Sequence, residues 1–228
     1  MKKFFCVLLL LSLAAPLMAD DREKDKDRLQ SAATVLDDVM SAPDKGIPEE
    51  ILSSAKCLAV VPSLLKGGFI VGGAYGKGVA SCKTEKGWSA PAFFRVEGGS
   101  FGLQIGGSEN DVVLLVNSDK GMKHLLDDKF TMGADANVSA GPVGRDASAQ
   151  TDAALHAEIL SYSRSRGVFA GLALEGATLR PDKEADRELY GRDVTNKEIL
   201  MGGGIAAPPA AAKLERAISR DSARAATK

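Results

Sequence analysis

The chain has 228 residues, 45% hydrophobic and 26% charged, with a formal net charge of −1. That balance excludes an intrinsically disordered chain and offers no basic footprint for nucleic acid. The length suits one large domain or two small ones, large enough to bury a core without help from a metal or a disulfide.

The chain opens with a predicted export signal over 1–19. Lys2 and Lys3 precede an apolar run over 4–13, and a cleavage region ends at Ala19. A run of that length is too short to cross a bilayer, which takes about 20 apolar residues. No later segment is continuously apolar for as long. Removing the signal leaves 27 Lys and Arg against 30 Asp and Glu, a net charge of −3. The expected destination is the periplasm or the medium, with a peripheral membrane association open. Cys6 leaves with the signal, and an oxidising destination predicts a disulfide between the two remaining cysteines, Cys57 and Cys82.

Residues 20–28 interleave five acids with four bases, a solvated helix start. Leu29, Ala32, Ala33, Leu36, Val39 and Met40 then recur at helical spacing, and turn residues 42–46 end the helix. Pro48 opens a second short helix to about residue 55. Short β-branched or aromatic runs predict strands at 57–61, 68–71, 78–81, 92–96, 101–105 and 111–116. Their connections are too short for parallel crossovers, which predicts an antiparallel sheet. Ser118 is the expected N-cap of a helix reaching 126. Further strands are predicted at 131–140, 157–164 and 168–175, and helices at 183–190 and 195–201. An Ala/Pro hinge and a basic tail, expected to be helical and loosely attached, complete the chain over 205–228.

Sixteen of the 24 glycines fall within 67–144. Such density inside strands implies close backbone approach, bulges or sharp bends. The predicted fold is therefore α+β: a curved, glycine-rich antiparallel sheet or small barrel with N-terminal helices and short C-terminal helices.

Catalytic motifs fail on context. Ser53-Ser54-Ala55-Lys56 matches Ser-x-x-Lys without its companion motifs, and Gly98-Gly99-Ser100-Phe101-Gly102 matches Gly-x-Ser-x-Gly without a following helix. Asp37-Asp38 and Asp127-Asp128 are adjacent on helices and so diverge. His124 and His156 read as structural. Neither a catalytic residue, a metal site nor a cofactor is expected.

The order of motifs resembles the SYLF-domain family, found in eukaryotic endocytic adaptors and many bacterial exported proteins. Its carriers are Pro43-Asp44-Lys45-Gly46-Ile47-Pro48, Leu65-Lys66-Gly67-Gly68-Phe69, Gly87-Trp88-Ser89-Ala90-Pro91 and Gly102-Leu103-Gln104-Ile105-Gly106. Ala140-Gly141-Pro142-Val143-Gly144-Arg145, Tyr162-Ser163-Arg164-Ser165-Arg166-Gly167 and Leu174-Glu175-Gly176-Ala177 follow in sequence. The resemblance covers about 28–204 and assigns 20–204 to a SYLF domain. It implies a non-catalytic module binding anionic phospholipid or phosphoinositide-like headgroups, with actin binding in some members. An exported chain is expected to meet neither actin nor phosphoinositides. The alternative is an envelope structural or protein-interaction module with no lipid ligand. In the family the lipid contact is a basic N-terminal helix, but acids neutralise the bases at 20–28 here. The expected lipid contacts are therefore Lys56 and Lys66 beside the apolar Leu64, Leu65 and Phe69, joined by Arg28, with Arg164 and Arg166 as a second pair on one strand face.

Overall fold

A computed structural model describes residues 15–42, 46–141, 157–166, 174, 176–202 and 204–226, with the backbone alone at 15–20, 68–71, 100–106, 165–166 and 224–226. The predicted strand at 168–175 apart from residue 174, His156 and most of the predicted signal segment lie outside the described residues.

The charged start and the apolar stripe form one helix, α1 (Ala15–Met40), and the short helix α2 (Glu49–Ser54) follows. Next come strands β1 (Cys57–Thr84), β2 (Gly87–Trp88) and β3 (Ala92–Val116). Helix α3 (Asp119–Leu126) begins as expected, with the Ser118 hydroxyl accepting from Gly121 N–H at 2.9 Å. Strands β4 (Phe130–Thr131), β5 (Val138–Ala140), β6 (Ile159–Arg166) and β7 (Ala177–Pro181) complete the sheet. Helices α4 (Lys183–Tyr190) and α5 (Asn196–Leu200), a 3-10 turn and α6 (Ala212–Ala226) close the chain. Among the described residues no helix is long and apolar enough to cross a membrane.

The fold is the α+β arrangement expected, with a curled sheet. Six predicted strands, however, are two: β1 and β3 pair antiparallel from Cys57↔Val116 to Ala80↔Ala92. The glycines read as breaks sit inside the ladder, facing one another at Gly67↔Gly107, Gly68↔Gly106 and Gly73↔Gly99, and they bend the ribbon without ending it. Register shifts between Val61 and Leu64 and between Phe69 and Val71 add twist. Ser63 takes a φ of 52° at the first.

The ribbon curls until its ends meet. Lys83 N–H donates to the Lys56 carbonyl at 2.7 Å, and Cys57 is bonded to Cys82, the predicted disulfide. Gly78 permits the closure, since a Cβ there would stand 2.6 Å from both the Val60 carbonyl oxygen and the Phe94 ring. β3 also pairs with β6 through its C-terminal half and with β7 through its N-terminal half.

Both faces of the sheet are covered toward the base of the ribbon. Leu58, Val60, Val79, Phe93, Val113 and Leu115 point outward to α1, α2 and α6, while Ala59, Val61, Leu64, Phe94, Val112 and Leu114 fill the curl with α5 and β4 residues. Double burial explains the near-continuous apolar runs at 57–61 and 111–116.

Three further expectations change. The strand at 131–140 is two short pieces separated by a turn, where Gly133 has a φ of 85° and Asp135 Oδ2 accepts from Thr131 N–H at 2.7 Å. β5 runs parallel to β6, because the connection over 141–158 is long enough for a crossover. The C-terminal tail is part of the core. Leu214, Ala217, Ile218 and Asp221 share one helical face and are buried, an amphipathic stripe packed on α1 and α2.

Candidate functional site

Of the cations expected to contact lipid, Lys56, Lys66 and Arg28 in one group and Arg164 with Arg166 in a second, most are already engaged within the fold. Arg28 is interior: Asp25, Arg28, Leu29, Ala32 and Leu36 fall on one helical face, and that face meets the sheet. Its guanidinium donates to Asp25 at 2.8 Å and Asp182 at 3.4 Å and stacks 4.7 Å from the Phe93 ring centre. Lys56, at the start of β1, pairs with Asp119. Arg164 pairs with Asp38 at 2.8 Å and Asp111 at 3.4 Å. Arg166 ends β6 opposite Glu109, and its side chain lies outside the described residues. Lys66 stands opposite Ser108.

Leu65 and Lys66 point to opposite faces, as neighbours on a strand must. Leu64, on the Lys66 side, is fully buried, and the Phe69 side chain is outside the described residues. The apolar insertion expected beside Lys66 therefore has no support from Leu64, whose side chain fills the curl. Leu65 is 55% exposed on the other face.

Among the described residues the catalytic motifs have no machinery around them. The Ser53 hydroxyl donates to the Glu50 carbonyl at 2.8 Å, a bond back along its own helix, while Lys56 is engaged by Asp119. Ser100 stands mid-ladder opposite Gly72, within a strand that continues to Val116 and so lacks the strand-to-helix turn the motif needs. His124 leans on Asp127 at 3.6 Å. Asp37 pairs with Arg220 and Asp38 with Arg164, so these adjacent acids diverge. Among the described residues no group of His, Cys, Asp and Glu could hold a metal ion.

The strongest electrostatic feature is one the sequence did not mark. Asp182 receives Arg28, Lys77 at 3.5 Å and Arg95 at 4.0 Å. Fully buried Asp186 accepts the Phe93 N–H at 2.8 Å, and Asn196 donates to the Phe93 carbonyl at 2.9 Å. Burial raises the Asp186 carboxyl to about 7, and it also raises Asp25 despite Arg28. These groups clamp α1, α4 and α5 to one edge of β3, a structural role.

The surface left for recognition is the outer face of the glycine-rich ribbon. Leu65 and Tyr75, 47% exposed, flank its middle on that face; alternation places Tyr75 on the side of Val79, and Leu65 shares a row with Glu109. Around them Gly73, Gly99 and Gly107 leave the backbone uncovered, with little or nothing near a Cβ placed there. Sequence reasoning marked Leu65 and missed Tyr75, because in a glycine-rich run an outward aromatic has the same local pattern as an inward one.

Comparison with known proteins matches residues 97–221 to a family model described as "Ysc84: Las17-binding protein actin regulator". Protein YSC84 of Saccharomyces cerevisiae is 37% identical over 177 residues, 76% of this chain and 37% of its own length. LAS seventeen-binding protein 3 of the same yeast is 37% identical over 179 residues, 77% of this chain and 39% of its own. SH3 domain-containing YSC84-like protein 1 of Homo sapiens is 34% identical over 164 residues, 71% of this chain and 48% of its own. The chain thus spans less than half the length of these relatives.

Proposed function

Because the chain belongs to the Ysc84, or SYLF-domain, family, we propose that it is a non-catalytic interaction module that docks a protein partner on the outer face of its glycine-rich ribbon. One observation carries this reading: Leu65 and Tyr75 stand exposed on the same face of β1, where the other large apolar side chains among the described residues are buried. Tyrosine is enriched among the residues that dominate protein contacts, and the fully buried core of such a contact is more apolar than its rim. The matched family model is described as a Las17-binding actin regulator, and one matched relative is named for Las17 binding. The expectation that actin is no partner therefore loses its ground, and filamentous actin becomes the first partner to test. Export through 1–19 remains part of the proposal, and cell fractionation tests it separately.

Co-sedimentation with purified actin filaments is the direct assay. The chain should pellet with filaments, and Leu65→Asp with Tyr75→Asp should reduce the pelleted fraction at least tenfold while the thermal midpoint stays put. A chain that stays in the supernatant, or a double variant that pellets like the parent, refutes this docking face.

A second reading, contact with anionic phospholipid headgroups, rests on Lys66. It has no carboxylate partner among the described residues, unlike Arg28, Lys56 and Arg164. One such cation contributes about 1 kcal/mol at an anionic surface. Binding to phosphatidylserine vesicles should fall with salt and with Lys66→Glu, and equal sedimentation with neutral vesicles refutes the lipid reading.

A further inference from the structure

A groove of about 320 Å³ separates the C-terminal end of α1 from the edge formed by β5 and β6. Val39 and Ala42 line one wall, Ala140 and Gly141 the other, and the Tyr162 ring forms part of the lining. Tyr162 is 4% exposed, and its hydroxyl is buried without a hydrogen-bond partner among the described residues. Buried phenols ordinarily find a partner, and one left without carries an uncompensated desolvation cost. Burial raises the hydroxyl pKa above its ordinary value, so it stays a neutral donor. A Cβ at Gly141 would overlap the ring and its hydroxyl, so glycine keeps the polar tip of the ring clear at the groove wall.

The mouth of the groove is already neutralised. Asp38 and Arg164 meet across it at 2.8 Å, and Arg164 also reaches Asp111 at 3.4 Å. The neighbouring Ser161 hydroxyl donates to the Ser139 carbonyl at 3.2 Å. A charged ligand would bring an unmatched charge into apolar surroundings, which desolvation penalises heavily. A neutral ligand with an apolar body loses little and gives the Tyr162 hydroxyl its missing acceptor. The volume falls at the small end of the range for ligand pockets.

We propose that this groove is a binding site for a small neutral molecule with an apolar body and one hydroxyl or carbonyl oxygen, held by the Tyr162 hydroxyl. The site is separate from Leu65 and Tyr75, so it stands or falls independently of partner docking on the ribbon.

Ligand-observed NMR titration with three probes of equal chain length, 1-octanol, octanoate and octylammonium, tests the proposal on the whole chain. The expected order is 1-octanol tightest, with both ions at least fivefold weaker. Tyr162→Phe should weaken 1-octanol about 2- to 10-fold, the factor one neutral hydrogen bond carries, and Ala42→Phe should abolish its binding by filling the groove. No binding of 1-octanol to the parent chain overturns the proposal, as does either ion binding more tightly than the alcohol. An unchanged 1-octanol affinity in Tyr162→Phe overturns it too. The probe order on the parent chain needs no variant, so the outcome holds even if a substitution disturbs folding.

Discussion

Replacing Asp186 with Asn should stabilise the protein above neutral pH and flatten its pH dependence. Asp186 is fully buried; one carboxyl oxygen accepts the Phe93 N–H at 2.8 Å and the other has no partner among the described residues. Burial chiefly, helped by Asp182 and Asp25, raises its pKa from 3.8 to about 7, against the opposing pull of the Phe93 N–H and Arg28. The folded state therefore holds this proton where the unfolded chain has released it. Between about pH 4 and pH 7 the folded state binds more protons, so stability falls as pH rises through that window. Below it both states are protonated and nothing is lost; above it the full cost persists. About three pKa units at about 1.4 kcal/mol each give about 4 kcal/mol, an upper value because Asp25 and Asp182 titrate alongside. Over pH 5 to 8 the wild type should lose about 2.5 kcal/mol from this group. Asparagine keeps the acceptor for Phe93 and never ionises. Urea unfolding at pH 5 and pH 8 measures the difference, and parallel pH profiles for wild type and Asp186→Asn would refute the assignment.

Three further comparisons test the scaffold. Cys57→Ser with Cys82→Ser opens a loop with a sequence separation of 25, and the chain-entropy model gives a loss of about 3.5 kcal/mol in denaturant unfolding; equal midpoints for the variant and the oxidised wild type would contradict it. Gly78→Ala puts a methyl 2.6 Å from the Val60 carbonyl oxygen and should cost about 1–3 kcal/mol, whereas Gly99→Ala has nothing within 4 Å and should be nearly neutral. Similar losses at both glycines would mean the curl is not closed at Gly78. Arg28→Ala leaves Asp25 and Asp182 buried without their guanidinium and should cost about 3–5 kcal/mol; a loss under about 1 kcal/mol would place Arg28 at the surface after all.

Much of the fold is legible in local chemistry. The stripe from Leu29 to Met40, the Ser118 cap, the Thr195 capping box and the α4 boundaries each follow from spacing or side-chain competition for backbone groups within a few residues. The two cysteines left after the predicted signal suggested their own bridge, and the glycine density implied curvature. Only the tertiary structure decided what those glycines do, because opposing glycines bend a ladder when a partner strand is present and end a strand when none is. It also decided that β5 runs parallel to β6, that α6 belongs to the core, and that Arg28 faces Phe93. Each of those outcomes depends on groups far away in sequence: Asp182 lies 154 residues beyond Arg28. Periodicity identifies the helical face that carries a charge, but only the carboxylates the fold brings to it settle whether that charge is solvated or buried.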